Sequence, residues 1–374
     1  MSTQLLSTTV PGVTNLSDFK SWAMAISSWM ASIGWLQTND TGQAVWTATV
    51  LTCTQVAMAG TVATISYSSF TGPAPRQGMS VVFSGFTNGG NNTTLTLTAV
   101  SGGSSGTVTA ANASGVNETH SGSGTTTAQA GVPTASSTIY EIWESQDSVS
   151  STLPIFIRLD YGQSATANSD LFKLTAGTGS NGSGTLTGNV TAAIQHSSNS
   201  AGTTGVGNNS VFSGDTSRVL CALFINASNA GNPLLFAIER SHDSSGADTD
   251  SYFMVITNFG TSGSRVLAQQ IVQKPALGGT LTAETAHITA LTTLSSGVVG
   301  TNIALGPLFP VIGKLDNPSM AIAFAKGGDV VEGATVTVPY FGSNHIFYCT
   351  KTSSAFTAEP LNSGTSTGLL MRYE

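Results

Sequence analysis

Charge is what this sequence has least of. Only 8% of its 374 residues are charged, against a usual share of about 25%. Twelve lysines and arginines, in a chain of net charge −7, are too few to track a phosphate backbone, so no nucleic-acid partner is expected. No apolar run reaches the length of a membrane-spanning helix, and no membrane insertion is expected. The segment Met1 to Val10 lacks a basic stretch followed by an apolar one, so no export signal is read there. Three cysteines, Cys53, Cys221 and Cys349, lie far apart. They read as single reduced or buried thiols, not as a disulfide framework or a zinc site. Low charge with a mean hydropathy of +0.15 also sets the chain apart from disordered sequences.

Hydroxyls stand where ions are missing. Serine and threonine supply 102 residues, alongside 42 glycines. Threonine is β-branched and suits a pleated surface, while glycine and serine suit tight turns. The composition predicts a mainly β protein of many short strands.

One segment breaks that rule. Phe19, Trp22, Ala23, Ile26, Trp29, Met30 and Ile33 recur at helical spacing. Asn15 or Ser17 offers an N-cap, Asp18 suits the first turn, and Gly34 is the natural stop. The stripe has two readings. It is either a face buried on the chain's own β-body, or a contact with another subunit through Trp22, Ile26, Trp29 and Ile33, since buried aromatics anchor interfaces.

Composition then divides the chain. Between Asp40 and Glu141 the only charged residues are Arg76 and Glu118. Strands are predicted there at Val56–Tyr67, Met79–Phe86, Thr93–Val100 and Gly106–Ala111, spaced as in a small β-sandwich. Past Ile139 charge returns, with strands predicted from Ile139, over Leu153–Gly162 and from Leu171. Further strands are predicted at Arg218–Asn226, Leu234–Arg240, Ser251–Asn258, Val266–Gln273, Met320–Ala325, Ala334–Pro339 and His345–Thr350. Residues 1–47 and 136–374 therefore read as one β-sandwich-type host domain with an N-terminal helix. Residues 48–135 read as a module inserted into it, as exposed loops allow.

Few motifs suggest chemistry. The run from Gly177 to Gly182 spells Gly-x-Gly-x-x-Gly, but β-like residues follow and no acid appears before Asp215, so it reads as a hairpin loop. Asp243, Asp248 and Asp250 follow His242 closely. They read as a solvated turn, or as a cation loop, although only Asp248 and Asp250 alternate as calcium ligands do. The five histidines share no ligand or triad spacing. No cofactor and no catalytic residue is assigned, and the expectation is a protein that is not an enzyme. An acid pair meeting across the fold stays open as a route to glycan hydrolysis.

The host segments resemble a structural protein of tailed-phage virions. The resemblance is carried by the Trp-containing helix, Gly34-Trp-Leu-Gln-Thr-Asn-Asp-Thr-Gly-Gln43, Tyr140-Glu-Ile-Trp-Glu144, Pro154-Ile-Phe-Ile-Arg-Leu-Asp-Tyr-Gly162, the Gly177–Gly188 loop and the ending Leu369-Leu-Met-Arg-Tyr-Glu374. The insert, through Val81-Val-Phe-Ser-Gly-Phe86 and Ala113-Ser-Gly-Val-Asn-Glu-Thr-His120, resembles small immunoglobulin-like β-modules. This implies a tail, baseplate or fibre component, made in the host cytoplasm and released by lysis. Its implied partners are other virion proteins and copies of itself. A rival expectation is a module that binds host cell-surface glycan, with Tyr67, Phe70 and Phe86 as candidate stacking residues.

Overall fold

The computed structural model describes residues 4–10, 16–129, 137–163, 170–191, 193–197, 208–223, 234–259, 266–273, 284–285, 306–307, 322–326, 334–340, 343–353 and 367–373. It is mainly β, with one α-helix, Leu16–Ser32, and antiparallel sheets.

The host is layered. A seven-stranded sheet runs from Gln4–Val10 through Asn208–Asp215, Arg218–Leu223, Leu234–His242, Asp248–Phe259 and Val266–Gln273 to Glu284–Thr285. A five-stranded sheet orders Ile194–Ser197, Asp170–Gly177, Phe156–Gln163, Thr138–Glu144 and Leu36–Gln37. Alternation decides what each face does. Phe212, Val219, Cys221, Phe236, Ile238, Phe253 and Val255 point one way from the large sheet, into a core shared with Ile157, Leu159, Tyr161, Phe172 and Leu174 of the smaller one. The helix lays Phe19, Trp22, Ile26, Trp29, Met30 and Ile33 into the same core. The large sheet's other face is also buried, at Val211, Leu220, Ala237, Met254 and Ile256. There Ser213 Oγ donates to the carbonyl of Arg372 at 2.6 Å, which ties in the C-terminal strand Thr367–Arg372. That strand belongs to a third sheet with Gly306–Pro307, Ile322–Lys326, Ser343–Ser353 and Thr335–Tyr340.

An ion pair ties the large sheet to the segment that joins Thr138–Glu144 to Phe156–Gln163 in the smaller one. Arg240, on the large sheet, reaches Asp147 at 2.8 Å, and its Nη1 donates to the carbonyl of Leu153 at 2.7 Å. Both side chains are buried. The pair survives removal from water because the guanidinium is also hydrogen-bonded to backbone.

The insert is a closed barrel. Its strands run round in the order Val50–Ala59, Val62–Thr71, Gly106–Ala111, Thr94–Gly102, Ser80–Ser84 and Gly122–Thr126, and the last pairs back with the first. The immunoglobulin-like reading expected two stacked sheets; here the ladder has no break. The predicted strand Val56–Tyr67 is in fact a hairpin turning at Gly60 and Thr61, between paired Ala59 and Val62. Gly60 has φ +62, which a two-residue hairpin turn requires and glycine adopts without strain. The barrel has a core of its own, including Leu51, Ile65, Tyr67, Val81, Phe83 and Val108, and no residue of it belongs to the host core.

Candidate functional site

The barrel leaves and rejoins the host at one seam. Thr49 N donates to Thr126 Oγ1 at 2.7 Å, and Thr126 N donates to the carbonyl of Thr49 at 3.0 Å. Outside that pair, Gln129 N donates to the carbonyl of Val45 at 2.6 Å. The barrel loop Pro73 to Arg76 then folds back over the host, where Arg76 Nη1 donates to the carbonyl of Thr38 at 3.2 Å.

The host side of this seam is a turn at residues 38–43, held from several directions. Thr38 Oγ1 donates to Asp40 at 2.6 Å, Gln43 Nε2 to the carbonyl of Thr38 at 2.7 Å, and Ile142 N to Gln43 Oε1 at 2.7 Å. Asp40 also accepts from Ser180 Oγ and, at 2.9 Å, from Gly184 N. Burial pushes the Asp40 carboxyl up, but the bonds from Ser180, Thr38 and Gly184 outweigh it and hold the group below its ordinary range. The glycine-rich loop is thus a small hairpin, Gly179–Ser180 against Leu186–Thr187, which buttresses this turn.

Between helix, host sheet and barrel loop lies a cavity of about 510 Å³. Its lining includes Trp35, Trp46 and Trp143, all buried, with Ser27 and Ala31 from the helix and Met79 from the barrel. Its buried carboxylate is Glu141, which accepts from Ser27 Oγ at 2.8 Å and from the Tyr161 hydroxyl at 3.3 Å. Burial lifts Glu141 to about 7, against the opposing pull of Ser27, Trp46, Arg76 and Tyr161. Arg76 lines the cavity too. Burial lowers its proton affinity, and the charges of Glu141 and Asp40 partly restore it. Arg76 Nε and Trp143 Nε1 are buried without a partner among the described residues. Trp46 Nε1 stands beside Glu141 but lacks hydrogen-bond geometry.

The residues singled out from sequence lie elsewhere. Trp22, Ile26, Trp29 and Ile33 are 2, 1, 5 and 4% exposed. Trp22 Nε1 donates to Ser210 Oγ at 3.0 Å, and Trp29 meets Phe212 at 5.5 Å between ring centroids. Their own sheets cover them, so they are not available as a subunit contact. The acidic loop does not converge either. Asp243 accepts from Ser245 N, Ser245 Oγ and Ala247 N, closing its own turn, while Asp248 and Asp250 lie in the following strand. Among the described residues no three His, Cys, Asp or Glu side chains group as a metal would require. Tyr67 and Phe86 belong to the barrel core, and Phe70 packs against it. The helix caps Asn15 and Ser17 fall outside the side chains described.

Sequence reading missed Glu141, Trp143, Trp46 and Trp35 as a group because they meet only across the fold. The one signal was Arg76, one of two charges between Asp40 and Glu141. No protein-family model, no curated protein and no solved structure matches this chain.

Proposed function

We propose that this chain is a non-enzymatic structural component of a tailed-phage virion, associated with the tail, baseplate or fibre, with the barrel as its displayed module. The observation that supports this most is the pair of separate cores joined at one seam. A module attached in this way adds a surface without disturbing the body that docks to other virion proteins and to copies of itself. The hydroxyl-rich, ion-poor composition supports the same reading. Hydroxyls hold contacts at lower desolvation cost than ions, and such contacts respond little to salt.

The test is placement in a particle. Antiserum raised against the barrel is applied to purified infectious particles from lysed cells that make the chain, followed by immunogold electron microscopy. Gold at one fixed position, with the chain present in the particle's protein profile, is the expected result. Infectious particles that lack the chain would overturn the reading.

A further inference from the structure

Two folds with separate cores meet at the seam, and the loop that covers it is lightly held. Pro73, Ala74, Pro75 and Arg76 all line the cavity of about 510 Å³, and side chains that border an open space have no packing partner on that side. Pro73 and Ala74 are exposed. Among the described residues, the loop's one hydrogen bond to the host runs from Arg76 Nη1 to the carbonyl of Thr38, at 3.2 Å. A cover with so few contacts opens locally while the cores beneath it stay intact.

Among the described residues, Glu141 is the one acid that lines this cavity. The groups around it come from every element packed there. The helix contributes the Ser27 hydroxyl, the strand Phe156–Gln163 the Tyr161 hydroxyl, Trp46 its indole, and the loop the Arg76 guanidinium. Asp40, in the turn at residues 38–43, faces Arg76, while Asp160 and Cys221 face Tyr161. Asp40 is held below its ordinary range, and burial holds Tyr161 and Cys221 well above theirs. Glu141 is the group that titrates near neutrality.

Opening the loop admits water to Glu141 and takes Arg76 away from it. These effects oppose each other. Burial is the largest influence on Glu141, and Arg76 is one of four that counter it. Hydration therefore prevails, and ionisation favours the open loop.

We infer that the Pro73–Arg76 loop is a latch, which closes over protonated Glu141 and is released when that carboxyl ionises. Opening is linked to the loss of one proton, so the open population grows as pH rises from about 4.5 to about 7 and then levels off. This goes beyond the virion reading and stands apart from it, since the latch is measured on the purified chain and placement on the particle.

Trypsin reads the latch directly. Arg76 is the only lysine or arginine between Lys20 and Arg158, and its side chain must leave the seam to enter a protease. Where closing outpaces cleavage, the cutting rate follows the open population. The full chain is digested from pH 5 to pH 8, with the products identified by mass. Each rate is divided by that of a free peptide of residues 70–82, which removes the protease's own pH dependence. Cleavage after Arg76 is expected to rise about tenfold or more from pH 5 to pH 7 and to level off above. Glu141→Gln keeps an acceptor for Ser27 and Tyr161 but cannot ionise, so its rate should stay low and flat. Ser27→Ala removes a donor that favours the ionised carboxyl, and should move the rise to higher pH. Three results overturn the latch. One is a wild-type rate that is flat or falls from pH 5 to pH 7. Another is an unchanged rise in either folded variant. The third is cleavage after Arg158, at the centre of the five-stranded sheet, at the rate seen after Arg76, which would mark global unfolding in place of local opening.

Discussion

Two carboxylates show how much weight single residues carry where charge is scarce. Glu118, the only acid between Asp40 and Glu141, accepts from Thr87 N, Asn88 N, Asn88 Nδ2 and Asn91 Nδ2 in the barrel. Its desolvation acts upward, but those four donors outweigh it and hold the group at about 2. Glu141 has the opposite history, since burial lifts it to about 7. The two therefore act on stability with opposite sign. Glu118 stabilises above its ordinary range near 4.5, and that contribution is lost as pH falls towards about 2. Glu141 holds a proton in the folded state that the unfolded chain has already released, so stability falls as pH rises from about 4.5 to about 7 and is then flat. At about 1.4 kcal/mol per tenfold of proton affinity, that window is worth about 3 kcal/mol. Melting curves from pH 3 to pH 8 check both. Glu141→Gln is expected to flatten the slope between pH 5 and pH 7, and Glu118→Gln the slope below pH 4. Unchanged profiles would mean that neither group is held as described.

At the scale of elements, the helix is where sequence and structure meet most closely. The apolar spacing of Phe19 to Ile33 predicts both its extent and its buried face, because one side of a 3.6-residue repeat either finds a core or leaves tryptophans in water. Spacing could not say which surface covers that face. Its covering includes Phe172 and Phe212, at ring-centroid distances of 5.0 and 6.2 Å from Trp22. Trp29→Ala is accordingly expected to cost about 3–5 kcal/mol of folding stability, as a cavity in a core does, with no change in association. Denaturant melts and sedimentation read the two effects separately, and a loss of assembly at constant stability would restore the interface reading. Past Leu153, the predicted strands at Leu153–Gly162, Leu234–Arg240 and Val266–Gln273 match observed ones closely, whereas Asn208–Asp215 and Thr367–Arg372 were not read from the sequence. The barrel's closing strand, Gly122–Thr126, was not read either, since Gly-Ser-Gly-Thr-Thr carries no apolar alternation. Its logic lies across the barrel. A Cβ at Gly124 would stand 2.7 Å from the Phe83 ring, so a bare backbone is what lets that ring fill the core. The cavity was illegible for a similar reason: Trp46, Arg76 and Trp143 come from three segments that only folding brings together.

Across the whole molecule, two cores meeting at one seam make a claim about independence. Val50 pairs with Thr125, so the barrel's two ends are neighbours, and the bonds between Thr49 and Thr126 lie inside the fragment. Because the ladder closes, excision leaves no unpaired strand edge to aggregate. A fragment of residues 48–127 is therefore expected to fold alone, with a single cooperative melt. The host should accept the reciprocal deletion, since Gln129 and Val45 are bonded across the gap and a short glycine linker can join the ends. Its buried core keeps every member. What the host loses is local: Met79 and the Pro73–Arg76 loop no longer cover Trp46 and Trp143. The shortened host should thus stay folded by circular dichroism while its tryptophan emission shifts to the red. It should also lose the charge of Arg76 beside Glu141, whose proton affinity is expected to change with it. A host that becomes insoluble, or a barrel that fails to melt cooperatively, would show that the seam carries shared stability and not only a cavity between two self-sufficient folds.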